Sequence, residues 1–134
     1  MSIFTPKGAC VFSEVKGVLL KDGQPLAGIK VTRWGNWKDE FEEEVITDEN
    51  GSFYFPDVYQ KSIRSLLPLE FSASQTLKAT IGDEEDIFWG YAKREPEKNA
   101  ELDGKPITLV CDLSNEMESL SGASGTPVTK CRWN

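Results

Sequence analysis

Residues 45–55 read Val-Ile-Thr-Asp-Glu-Asn-Gly-Ser-Phe-Tyr-Phe, and this stretch decides the fold. It begins with β-branched side chains, which favour a pleated strand. The Asn-Gly pair at 50–51 accepts positive φ at little cost and therefore predicts a tight turn. Phe53 and Phe55 then fall on one face of a second strand, with Tyr54 on the other. The stretch predicts a β-hairpin, and because a hairpin alone is barely stable, its aromatic face needs a second layer.

Length and charge limit the possible classes of protein. A chain of 134 residues suggests one domain, 1–134, with a core over 10–113 and a carboxyl-terminal tail over 114–134. Folding at this size buries about two-thirds of the unfolded surface, so no metal or disulfide is needed. The net charge is −7. This excess of acid argues against nucleic-acid and membrane partners, which select Lys/Arg patches, and favours a basic protein partner.

The amino-terminal segment and the cysteines bear on the compartment. Residues 1–13 lack a basic stretch followed by an unbroken apolar run, so they do not resemble a signal peptide. We therefore expect a cytoplasmic protein, in which Cys10, Cys111 and Cys131 are reduced and buried. A bridge between Cys111 and Cys131 is the alternative.

Alternating patterns predict further strands along the chain. A first strand within 10–20, a turn over 21–25 and a return strand over 28–33 open the fold. Later segments are a loop or bulged continuation over 34–40, an extended run over 41–47, a short helix over 57–67, a turn over 82–86, a central strand over 87–92, a solvated polar loop over 93–106, and a final strand over 107–113. The tail is either loosely ordered or laid over the sheet, with Trp133 as its anchor.

Residues 69–81 show the cleanest period of two in the chain. Apolar residues occupy the odd positions and polar residues the even ones, which predicts a long strand with one face in water, or two strands bent at the middle. Gln75 is the polar exception and predicts either a bulge or a buried amide with partners. On the next strand, Ile87, Trp89 and Tyr91 are expected to share one face.

About seven strands and one short helix predict an all-β, two-layer antiparallel β-sandwich. Residues 15–31, Val-Lys-Gly-Val-Leu-Leu-Lys-Asp-Gly-Gln-Pro-Leu-Ala-Gly-Ile-Lys-Val, followed by Thr-Asp-Glu-Asn-Gly-Ser-Phe-Tyr-Phe at 47–55, resemble the carboxypeptidase regulatory-like domain. That resemblance implies the transthyretin-like (prealbumin-like) β-sandwich. It covers less than half of the chain.

A second resemblance concerns the later half. The run Trp-Gly-Tyr-Ala-Lys-Arg-Glu-Pro-Glu-Lys-Asn at 89–99 is similar to that of an uncharacterised bacterial family. Members of that family are found near type VI secretion effector genes, so the resemblance implies a link to such effectors.

Residue types exclude the common catalytic sets. The chain has no histidine, which removes Ser-His-Asp and Cys-His catalysis and His-based zinc sites. Its three cysteines lack C-x-x-C spacing. We therefore predict no enzymatic activity, no cofactor and no metal site.

The residues that we predict to bind a partner lie within 34–44. Two tryptophans flank Gly-Asn in a segment followed by a run of carboxylates, a composition suited to a protein interface or to stacking on sugars. The candidate partner-binding residues are Trp34, Trp37, Asp39, Glu40, Glu42, Glu43 and Glu44. Because 42–44 carries three consecutive carboxylates, this strand must lie at a sheet edge or have one face in water.

Three hypotheses of function follow. The first is a non-enzymatic protein-binding module, specifically a cytoplasmic immunity protein that neutralises a cognate bacterial toxin of the type VI secretion system. The second is a carbohydrate-binding module that uses Trp34 and Trp37. The third is a structural accessory or adaptor domain.

Overall fold

The computed structural model describes residues 8–61, 71–120 and 126–133. Within those ranges the chain forms strands joined by short turns, with one 3₁₀ turn at Ala100–Leu102. The strands are β1 Ala9–Phe12, β2 Val15–Lys21, β3 Gln24–Pro25, β4 Lys30–Asn36, β5 Glu40–Ile46, β6 Ser52–Phe55, β7 Val58–Gln60, β8 Ala73–Ile81, β9 Glu84–Lys93, β10 Ile107–Asp112, β11 Glu118–Ser119, β12 Val128–Thr129 and β13 Cys131–Arg132.

Two sheets hold most of these strands. The six-stranded sheet has the order β11-β12-β9-β8-β4-β5, and the five-stranded sheet has the order β13-β10-β2-β3, with β6 also paired to β2. The pair β1–β7 stands apart. Apolar side chains from both sheets meet in one core, where Phe53 of β6 lies 6.0 Å from Phe88 of β9 between ring centroids. The all-β sandwich is confirmed; its pairs are antiparallel except β2–β10, which is parallel.

The 45–55 stretch turns as predicted but does not form a hairpin. Asp48 Oδ1 accepts the N–H groups of Asn50 and Ser52, each at 2.9 Å, which fixes the tight turn. The strands on either side of it belong to different sheets, because β5 pairs with β4 whereas β6 pairs with β2. Turn residues specify that the chain reverses and do not specify its partner. The stretch is therefore the corner at which the chain passes from one sheet to the other.

The predicted return strand over 28–33 shows the same kind of difference. Asp22 and Gly23 adopt positive φ, as a two-residue hairpin turn requires, but the hairpin partner of β2 is only the short β3. The strand that follows, β4, crosses to the six-stranded sheet and continues through Asn36. Of the two readings of residues 34–40, the strand continues up to Asn36 but without the bulge, and residues 37–39 form the loop.

The helix predicted over 57–67 is wrong at its start. Residues 58–60 form β7, which pairs with β1. The predicted cap, Asp57, instead accepts the N–H of Glu14 at 2.8 Å and lies 3.2 Å from Lys98 Nζ. Its carboxylate therefore joins three segments of chain and does not begin a helix. Residues 62–70, which hold the rest of that prediction and the beginning of the 69–81 pattern, lie outside the described ranges.

The alternation over 73–81 is confirmed as a single strand, β8, whose odd-numbered residues face the core. The expected face of β9 is wrong at one position. Leu77 pairs with Trp89 and Lys78 with Ile87, so Phe88 is the extra residue of a β-bulge. The bulge turns both Phe88 and Trp89 inward and leaves Ile87 50% exposed.

The described end of the tail is ordered, and it adds strands to both sheets instead of lying over one of them. β12 pairs with β9, β13 pairs with β10, and the Trp133 ring lies 6.3 Å from that of Trp89.

Cys111 and Cys131 face each other directly and form a disulfide, while Cys10 is a buried free thiol. The expectation of reduced cysteines is therefore wrong for Cys111 and Cys131, and the alternative bridge is the one present.

Candidate protein-binding surface at the β5 edge

Strand β5 is the last strand of the six-stranded sheet, and its position explains its carboxylates. All seven of its residues pair with β4, from Glu40 opposite Asn36 to Ile46 opposite Lys30. Exposed and half-buried side chains alternate along it. Because one face of the strand is wet, it can carry acidic side chains that a buried strand could not. The predicted edge strand is therefore present.

The run of glutamates is divided between the two faces of the sheet. Glu40, Glu42 and Glu44 are exposed on the outer face; we call these three outward side chains the acidic face. Glu44 Oε2 lies 3.6 Å from Lys30 Nζ, an exposed pair worth little energy. Among the described residues, Glu42 has no ion-pair or hydrogen-bond partner.

Trp34 lies in the middle of the acidic face. It is the cross-strand neighbour of Glu42, and its indole Nε1 donates a 2.6 Å hydrogen bond to Glu40 Oε2. The hydrogen bond fixes the indole against β5 and leaves it half-buried. An aromatic ring bordered by carboxylates can contact the apolar stem of a lysine or arginine while the carboxylates meet its charge.

Glu43 points the other way and has a structural role. Its Oε1 accepts the Arg33 Nε–H at 2.9 Å. The Arg33 side chain is fully buried, with its guanidinium 4.9 Å from the ring centroids of both Phe12 and Phe55. Burial lowers the pKa of Arg33, and the Glu43 carboxylate opposes that shift. Glu43 is thus the counter-ion of a buried cation, and only its partly exposed edge is open to a partner.

Trp37 and Asp39 occupy the turn between β4 and β5. The Trp37 ring packs on Phe71, 4.8 Å between centroids, and no ring contact joins it to Trp34. Gln60 holds the backbone of the turn, since its Oε1 accepts the Lys38 N–H and its Nε2 donates to the Asp39 carbonyl. The structure therefore does not join the two indoles into one stacking platform, and Asp39 is exposed beside the acidic face.

A buried polar network was missed by sequence reasoning. The Glu101 carboxylate, fully buried, accepts hydrogen bonds from the Ser13 N–H at 2.9 Å, the Ser13 hydroxyl at 2.7 Å and the Gln75 amide at 2.9 Å. Gln75 also accepts the Trp89 Nε1–H at 3.1 Å. The only sequence signal for this network was Gln75 itself, a polar residue at an apolar position; of its two readings, the buried amide is correct.

Two further titratable groups lie beside this network. Lys93, expected in a solvated loop, is fully buried and donates to the carbonyls of Glu95 and Glu97, and burial lowers its pKa. Burial raises the pKa of the Cys10 thiol, whose Sγ lies 3.4 Å from Ser13 Oγ. A thiol that is buried and has a raised pKa is expected to be unreactive.

A cavity of about 380 Å³ opens beside the turn between β8 and β9, and none of its lining residues belongs to the acidic face. Its lining residues are Lys21, Ile81, Asp83, Glu84, Asp86 and Leu113. Asp86 is already paired with Lys130, 2.9 Å away. Across the described ranges, no group of three or more Cys, Asp or Glu side chains is arranged to hold a metal ion.

No helix in the described parts of the chain is long and apolar enough to cross a membrane. Comparison with known protein families places most of the chain in one of them. The family model named "Domain of unknown function (DUF6795)" matches residues 15–116, about three-quarters of the chain. No curated protein and no solved structure matches the chain. The matched range includes both sheets' central strands and the acidic face, and the chain therefore belongs to the DUF6795 family.

Proposed function

We propose that this protein is a non-enzymatic protein-binding module, and that the acidic face binds a basic partner protein. The observation that carries the proposal is the placement of Glu40, Glu42 and Glu44, exposed together on the outer face of an edge strand. The chain as a whole carries a net charge of −7, so its long-range field also attracts a basic partner.

The arrangement suits an interface with an aromatic centre and a charged border. Half-buried tryptophans are common at the centres of interfaces, where they contribute most of the binding energy, and Trp34 lies between carboxylates. Exposed charges around such a centre mainly raise the association rate and exclude wrong partners. Binding through the acidic face is therefore expected to weaken as salt is raised.

Within this proposal, the biological role is that of a cytoplasmic bacterial immunity protein that neutralises a cognate toxin of the type VI secretion system. The similarity of residues 89–99 to a family found near such effector genes supports that role. An acidic surface suits a toxin whose active site handles nucleic acid, because such sites are basic and an acidic protein can occupy them. The transthyretin-like relationship implied by residues 15–31 and 47–55 belongs to the same proposal.

The experiment is co-expression with the product of a neighbouring toxin gene, followed by pull-down. We expect the wild-type chain to protect cells and to bind the toxin. The variant E40Q/E42Q/E44Q keeps side-chain size and removes three charges, so we expect protection to be lost and the dissociation constant to rise by about tenfold or more.

The control variant E49Q/D83N/E116Q removes the same charge from exposed positions outside the acidic face. It is expected to protect as the wild type does. Equal loss in the two variants would show that net charge alone matters, and the absence of any bound neighbour-encoded protein would reject the role as an immunity protein.

A further inference from the structure

We propose that the free edge of β5 binds an extended, basic strand of the partner by main-chain hydrogen bonds, in antiparallel orientation. The partner strand would become the seventh strand of what is a six-stranded sheet in the isolated chain. This inference rests on the proposed function, because it states how a basic partner engages the acidic face.

The register of β5 shows which of its backbone groups face the open edge. Thr47 N–H donates to the Ile29 carbonyl at 2.9 Å, so the backbone of Thr47 points towards the β4 side. The pairing continues without a shift from Ile46 to Glu40. Because the backbone groups of successive residues point to opposite sides of a strand, the odd-numbered residues bond to β4 and the even-numbered ones face outward.

The outward backbone groups belong to the residues that carry the acidic face, Glu40, Glu42 and Glu44, together with Ile46. Within the described ranges, no strand pairs with this side of β5 and no hydrogen bond reaches these backbone groups. Unpaired N–H and C=O groups along a regular strand form a template for one more strand. The same residues thus offer both the hydrogen bonds and the charges.

Charge selects the occupant of this edge. In an antiparallel pair, the residue directly opposite Glu42 projects its side chain from the same face as Glu42. A second copy of this chain would place carboxylates opposite carboxylates, which is destabilising. A strand with lysine or arginine at alternate positions would place a cation opposite Glu40, Glu42 and Glu44, and its stem against Trp34.

The test uses a peptide as long as β5 in which lysine and valine alternate. Hydrogen exchange of the wild-type protein gives the first readout. Without peptide, the amides of Glu42 and Glu44 are expected to exchange much faster than those of Glu43 and Val45, which bond to β4. With peptide, exchange at Glu42 and Glu44 is expected to slow to the rates of their neighbours. Unchanged exchange at Glu42 and Glu44 in the bound state would overturn the inference.

Two methylated peptides give the second readout. Opposite Glu42, the antiparallel register points the lysine N–H groups at β5 and the valine N–H groups away. N-methylation of the lysines should therefore abolish binding, and N-methylation of the valines should leave it unchanged. Equal binding of both methylated peptides would show attraction by charge alone, and loss with methylated valines alone would show a parallel strand; either result would overturn the inference.

A pair of protein variants separates backbone from charge. Glu42→Pro removes an N–H that faces outward and none that bonds to β4, whereas Glu42→Gln keeps the N–H and removes the charge. We expect the proline variant not to bind the peptide, even in low salt. We expect the glutamine variant to retain part of the peptide binding, and this binding should weaken as salt is raised. If neither variant affects peptide binding, the inference fails; toxin protection by the wild type would still stand, so the proposed function is tested independently.

Discussion

The carboxylate of Glu101 accepts a 2.9 Å hydrogen bond from the side-chain amide of Gln75, and both side chains are buried inside the sandwich. The inner face of β8 is otherwise apolar, and at Gln75 it contacts the charged carboxylate of Glu101, which lies in the loop between β9 and β10. Buried carboxylates are costly unless they are hydrogen-bonded, and both oxygens of this one accept hydrogen bonds.

Glu101→Ala is expected to lower the free energy of unfolding by about 3 kcal/mol or more, because Ser13, Gln75 and the nearby Lys93 would lose a buried partner. Urea denaturation measures the loss. Glu101→Gln should cost less, since its remaining oxygen can still accept two of the bonds. The exposed Glu116→Ala serves as control, with an expected change within about 0.5 kcal/mol. Equal effects at the two sites would contradict the structural role of Glu101.

Gly51 and Gly23 both have φ of 78° but differ in their surroundings. A Cβ at Gly51 would lie 2.5 Å from the Leu19 carbonyl oxygen, whereas a Cβ at Gly23 would meet nothing within 4 Å. Gly23→Ala should therefore cost only the left-handed penalty of about 1–2 kcal/mol. Gly51→Ala should cost clearly more in the same urea assay, because backbone must move. Equal losses would mean that the corner between the sheets is not packed as tightly as described.

Thiol titration tests the cysteine pairing. The chain holds three cysteines, of which Cys111 and Cys131 are bridged and Cys10 is buried. Native protein should show no fast-reacting thiol, because burial also raises the pKa of Cys10. Unfolding without reductant should reveal one thiol, and unfolding after reduction all three. In the Cys10→Ser variant, unfolding without reductant should reveal no thiol. Three thiols without reductant would show that the bridge is not formed.

The carboxyl group of Asp112 makes the free energy of unfolding depend on pH in the acid range. Hydrogen bonds from Ser114, and then from Gly23 and Asp22, lower the pKa of its carboxyl below the usual 3.8. In the window below pH 3.8 the unfolded chain binds more protons at this site than the folded chain does. The stabilisation is therefore present above that pH and lost as pH falls through the folded-state pKa.

Denaturation curves collected across this acid range measure the effect. Asp112→Asn should be less stable than the wild type near neutral pH and should lose less stability on acidification. Ser114→Ala removes the first of the hydrogen-bonding groups and should fall between the two. If the free energy of unfolding fell equally steeply on acidification in the wild type and in Asp112→Asn, the role of Asp112 in the pH dependence would be contradicted.

Local patterns predicted the parts of the fold that local chemistry determines. The alternation over 73–81 fixed a strand and its buried face, because one residue in two must leave water. Asp48 and Gly51 fixed a turn, because they satisfy its hydrogen bonds and its positive φ. The acidic run of β5 predicted a sheet edge or a strand with one face in water, since three adjacent carboxylates cannot all be buried, and β5 has both properties.

The errors arose where a distant partner decides. No residue within 45–55 indicates that β5 and β6 bond to different strands. No residue near Phe88 indicates the bulge, which depends on the pairing of β9 with β8. Asp57 has the composition of a helix cap, but Glu14 and Lys98 use its carboxylate. The glutamate run was treated as one surface, whereas the pleat sends Glu43 inward to Arg33.

β12 and β13 are separated by Lys130 alone, yet each completes a different sheet. Both are synthesised after β9 and β10, the strands with which they pair. In the same way, β2 has no parallel neighbour until β10 has been synthesised. A nascent chain therefore keeps β9 and β10 without their outer neighbours until these short strands arrive. Pairings so remote in sequence slow folding, and the interval is the time at which newly made chains are most open to chaperones and to aggregation.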